Sequence, residues 1–87
     1  MISLKDACQK VLSNHPDEYI HIVNEYDGIY EFVLLKKGER ITETTGLLFA
    51  PIVNKQTGEI IEGFLLGEYT FGNEILKQHT HSQLERL

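Results

Sequence analysis

The sequence predicts an α+β fold: an antiparallel β-meander of four to five strands, with an N-terminal helix and a C-terminal helix packed on one face. Three observations carry this. An amphipathic helical stripe opens the chain, runs of β-branched and aromatic residues follow it, and turn residues separate those runs at short intervals.

Leu4, Ala7, Cys8, Val11 and Leu12 recur at i, i+3, i+4, i+7 and i+8, which lays one apolar stripe along a helix over 4–14. Ser3 supplies the N-cap, with Asp6 completing a variant of the capping box. Asn14-His15-Pro16 ends the helix, because the residue before a proline avoids the α region. A strand over 18–25 follows, with Ile20 and Ile22 on one face and Tyr19, His21 and Val23 on the other. Asp27-Gly28 is a strong hairpin pair, so residues 29–36 return as a second strand. Its latter half is apolar on both faces, which makes it central in the sheet.

Lys37-Gly38-Glu39 reads as a turn, and residues 40–45 fit either an edge strand or an extended loop. Residues 47–53 form a third strand, in which Pro51 lacks a ladder donor and so marks an edge or a bulge. Asn54 to Gly58 has the composition of a longer hairpin loop, with Gly58 free to take positive φ. Residues 59–66 run back as another strand, where Gly63 marks a bulge or close packing. Asn73 is a suitable N-cap for a second helix carrying Ile75, Leu76 and Leu84.

The 87 residues suffice for one domain over 1–87, and 41% hydrophobic content is enough for a two-layer core. The net charge is −5, with acidic residues spread from Asp6 to Glu85 and basic ones clustered only at Lys36, Lys37 and Arg40. Phosphate binding needs a basic stripe, so nucleic acid is not an expected partner. Cys8 is the only cysteine and no intrachain disulfide can form. With no apolar run of signal-peptide length at the N-terminus, the expected setting is the cytoplasm. The apolar stretch 47–53 is too short to cross a bilayer, so no membrane partner is expected.

No set of residues calls for catalysis, a metal or a cofactor. Cys8 lies inside the helical stripe, where a thiol acts as a small hydrophobe and not as a nucleophile. His79 and His81 are two apart, which separates them on a helix, and no Cys or HExxH spacing accompanies His15 or His21. Glu25 and Asp27 flank a turn, and Glu59 and Glu62 occupy a solvent side. The tyrosines suggest more. If both helices cover one sheet face, the other exposes aromatic residues beside acidic ones, a composition suited to binding protein. The candidate contact residues are Glu25, Tyr26, Asp27, Tyr30, Glu31 and Glu62; the alternative is that the rings simply complete a small core.

The stretch Ala50-Pro51-Ile52-Val53-Asn54-Lys55-Gln56-Thr57-Gly58-Glu59-Ile60, followed by Gly63, resembles the hairpin of the immunity-protein 35 family of small bacterial proteins. Gly28 to Phe32 matches that family's upstream Gly-aromatic strand, and Asn54 stands where the family has Asp. The resemblance implies a cytoplasmic binder that neutralises a cognate toxin, with no catalytic residues to carry over. An acidic surface suits a basic toxin. The alternative is a small structural domain whose partner is a second copy of itself, a homodimer.

Overall fold

An N-terminal helix, a five-stranded antiparallel sheet and a short C-terminal helix make this an α+β fold. The computed structural model describes residues 1–38, 50–63, 65–70 and 72–87. In chain order the elements are α1 (Leu4–Asn14), β1 (Glu18–Glu25), β2 (Ile29–Lys36), β3 (Ile52–Asn54), β4 (Ile60–Ile61), β5 (Lys77–Thr80) and α2 (His81–Leu84). The sheet order is β4-β3-β2-β1-β5. The first four strands thus form a meander, and β5 returns to pair antiparallel with the far side of β1.

Local chemistry sets the first elements. The Ser3 side chain accepts from the Asp6 amide at 3.2 Å, satisfying one of the free N–H groups of the first turn. Ala7, Cys8 and Val11 then face the sheet and are buried. They join Ile20, Val23, Tyr30, Phe32, Leu34 and Val53 in one core cluster, against which Leu84 of α2 also packs. Burying Phe32, Val23 or Val53 contributes about 1.5–3 kcal/mol each. Every residue of β2 from Tyr30 to Leu35 is buried, as its two-faced apolar pattern and central position require.

The structure corrects the strand reading at four places. The register of β1 on β2 shifts between Ile20 and Ile22, so His21 is an extra residue and the alternation resets there. Ile20 and Val23 therefore share the helix-side core, whereas unbroken alternation put them on opposite faces. Pro51 precedes β3 instead of interrupting it, and its carbonyl accepts from the Phe32 amide at 2.9 Å. Among the described residues of 59–66 the one strand is the two-residue β4; Gly63 follows it at φ +92, with no described atom within 4 Å of an added Cβ. This is a backbone bend, not a close approach. Asn73 caps no helix: residues 77–80 are a strand, and the second helix is only His81–Leu84.

A helix from Asn73 would have to find an apolar face, and after Leu76 the sequence offers none until Leu84. Pairing with β1 instead satisfies the β1-facing backbone groups of Lys77 to Thr80 without one. The readings at Glu39, at 40–45 and at 47–49 lie outside the described residues. No described helix is long and apolar enough to cross a membrane.

Candidate functional site

Residues directly opposite in antiparallel strands share a face. Two transverse rows therefore order the polar chemistry of this sheet. On the face away from α1, Ile61, Ile52, Glu31, Asn24 and Gln78 lie side by side across all five strands. On the helix face the neighbouring row is Ile60, Val53, Tyr30, Glu25 and Lys77.

Glu31 is only 1% exposed and accepts from four described donors. Oε1 takes Asn24 Nδ2 at 3.1 Å and the Tyr26 hydroxyl at 3.4 Å. Oε2 takes the Gly67 amide at 3.0 Å and Thr70 Oγ1 at 3.2 Å. Gln78 Nε2 donates in turn to Asn24 Oδ1 at 3.0 Å, so the network runs from β2 through β1 to β5. Among the described residues no buried side-chain polar atom lacks a partner. The arrangement ties the segment 65–70 onto the sheet, with neighbouring Val33, Leu35 and Ile52 also buried. This face does not expose the expected tyrosine surface.

On the helix face Glu25 pairs with Lys55 Nζ at 2.8 Å through one carboxylate oxygen and with His79 Nε2 at 2.9 Å through the other. Hydrogen bonds from Lys55 and then His79 outweigh burial and hold the Glu25 pKa below the ordinary carboxylate value. Lys55 also stands 4.9 Å over the Tyr30 ring, a cation–π contact, and Tyr30 meets Phe32 edge-on. Burial pushes the phenols of Tyr26 and Tyr30 above their usual pKa.

The six candidate contact residues are thus dispersed. Tyr26, Tyr30 and Glu31 are buried and present no surface; Glu25 is half-buried in ion pairs; Asp27 is exposed in the β1–β2 turn. Glu62 lies beyond β4 and bonds to His15 at the end of α1. Sequence reasoning missed Asn24, Lys55, Thr70, Gln78 and His79 as partners. Only their positions reveal them, since each is unremarkable in a polar stretch.

A cleft of about 230 Å³ opens between α1 and α2, lined by Cys8, Leu12, Tyr19, Ile20, His81 and Leu84. Desolvation pushes the buried Cys8 thiol up to about 11, so it is protonated and unreactive near neutral pH. His81 gives its ring nitrogens to the Ile20 carbonyl and to Glu85, not to the thiol. Among the described residues no group of three or more His, Cys, Asp or Glu is placed to hold a metal ion.

Among the described residues the exposed large apolar side chains include Met1, Leu12 and Leu87 and several between β4 and β5. Leu66, Ile75 and Leu76 are 41%, 44% and 61% exposed, in the connection from β4 to β5. Glu68 and Glu74 in the same connection are also exposed. Comparison of the chain with protein-family models, curated proteins and solved structures finds no match.

Proposed function

We propose that this domain is a non-catalytic protein-binding module of the immunity kind, acting in the bacterial cytoplasm on a basic partner such as a toxin. The observation that carries the reading is the adjacent exposed pair Ile75 and Leu76, which leads into the sheet-edge strand β5. Exposed apolar side chains beside an edge offer area to bury, and strand addition there supplies backbone hydrogen bonds. Glu74 next to the pair and Glu68 earlier in the same connection, with the net charge of −5, favour a positively charged partner and a fast, salt-sensitive encounter. This moves the contact surface away from Tyr26, Tyr30 and Glu31, which are buried. The inert thiol of Cys8 and the engaged nitrogens of His81 support a binding role over a thiol enzyme.

The test compares the folded domain with its Leu76→Asp variant, immobilised and exposed to lysate of the source cells at low and then high salt. The expected result is one basic protein that the native domain retains, that salt releases and that the variant does not hold. That protein should be toxic when produced alone and harmless when produced with this domain. Return of the domain alone would overturn the reading in favour of self-association. Equal retention by both proteins would move the surface elsewhere.

A further inference from the structure

His15 presents both ring nitrogens to carboxylates. Nδ1 lies 3.0 Å from Glu18 Oε1, on the first residue of β1, and Nε2 is hydrogen-bonded to Glu62 Oε1, immediately beyond β4. A neutral imidazole has one N–H and one lone pair, so one of these contacts would set a lone pair against a carboxylate. Only the imidazolium donates to both. His15 also occupies the C-cap of α1, where the helix dipole favours a cation.

We propose that His15 is a proton-operated clamp: charged, it fastens the β4 edge of the sheet to the α1–β1 junction, and neutral, it lets that edge loosen. The edge is the element suited to respond. β4 has two residues, both half-buried, and among the described strands it pairs with β3 alone. Gly63, just past Glu62, takes φ +92, and among the described residues nothing lies within 4 Å of a Cβ added there. Other contacts hold this hairpin at its turn and not at the Glu62 end: Lys10 Nζ donates to the Gly58 carbonyl at 2.9 Å, the Ile2 amide to the Lys55 carbonyl at 2.8 Å, and Lys55 pairs with Glu25.

The charged groups on the elements meeting here are Glu18 of β1, Glu62 beyond β4, Asp17 in the intervening turn and Lys10 of α1. Glu59 lies in the β3–β4 turn and Lys36 and Lys37 at the end of β2; farther along the same elements stand Lys5 and Asp6 of α1, His21 and Glu25 of β1 and Glu31 of β2. Burial opposes the charge on His15, but hydrogen bonds and charge from Glu18 and Glu62 outweigh it and raise its pKa. A histidine raised in this way contributes stability that is whole below its unfolded pKa and is lost as pH rises through the folded one. The clamp therefore closes in mild acid and opens on the alkaline side of the His15 titration.

The experiment is NMR of the full chain from about pH 5 to about pH 9, the range histidine spans. The expected ring-nitrogen shifts show both His15 nitrogens protonated at the acid end, with a midpoint above that of free histidine. With intrinsic exchange corrected, the Ile61 amide should lose protection with the same midpoint, by about tenfold for each unit of upward shift. Glu62→Gln, at a half-exposed side chain that leaves the core untouched, should lower the midpoint and weaken the step; His15→Gln should remove it. A His15 midpoint at or below the free value would overturn the clamp. So would an Ile61 step that is unchanged in Glu62→Gln.

Discussion

Glu31 owes its role to its surroundings, and the sequence gives only half of them. In a strand reading it is one acidic residue among apolar ones, and an exposed position follows naturally. In the fold, Asn24, Tyr26, Gly67 and Thr70 converge on its two oxygens and bury it. Removing one member of such a network leaves the others desolvated and unpaired, which costs more than the bonds themselves contribute. Glu31→Ala should therefore destabilise the domain by about 3 kcal/mol, read from the urea midpoint at unchanged slope. A loss within about 0.5 kcal/mol, the usual size for a surface substitution, would show that the carboxylate is not the tie holding segment 65–70. Cys8 is the opposite case: its place in the helical stripe already implies a buried, inert thiol, and the structure keeps it there.

Among the elements, the ones with strong local signals form where the signals lie. α1 has its cap and its stripe, β1 and β2 their Asp27-Gly28 turn, and the Asn54–Gly58 loop its glycine. In that loop Asn54 Oδ1 accepts from the Gln56 and Thr57 amides, while Gly58 takes φ +74. An added Cβ at Gly58 would lie 2.8 Å from Lys10 Nζ, besides sitting in a backbone region that L-residues rarely adopt. Lys10 is flexible at that end, so the backbone term dominates, and Gly58→Ala should cost about 1–2 kcal/mol. In thermal unfolding that lowers Tm by about 4–8 °C for each kcal/mol, and an unchanged Tm would disprove it. The weakly signalled elements went differently. β5 contains no strong apolar residue, so no periodicity could separate it from a frayed helix; its partner β1, more than fifty positions earlier, decides it.

For the whole molecule, two opposed titrations bracket the stability. Glu25 has a lowered pKa, so its contribution is present above its unfolded value near 4.5 and is lost as pH falls through the folded value. His15 has a raised pKa, so its contribution is present below 6.5 and is lost as pH rises through its folded value. Stability should peak between them. Glu25→Gln should flatten the acid limb of the denaturation profile while leaving the alkaline limb unchanged. An acid limb as steep as in the native chain would show that the Lys55 and His79 pairs do not couple Glu25 to folding.

What the sequence determined by itself is local: the fold class, the first helix and its core-facing stripe, the β1–β2 hairpin and the central place of β2. Each follows from side-chain periodicity or turn chemistry within a few residues, where backbone sterics and burial act on neighbours along the chain. The tertiary structure alone decided the bulge at His21, the shortness of β4, the strand at 77–80 and the fate of the candidate contact residues. These depend on pairing across the sheet. Whether Tyr30 faces the core, or Glu31 finds four donors, is fixed by strands that meet only once the chain has folded. Composition can nominate a tyrosine beside a carboxylate, but which side of the sheet remains open to a partner is a property of the assembled layers.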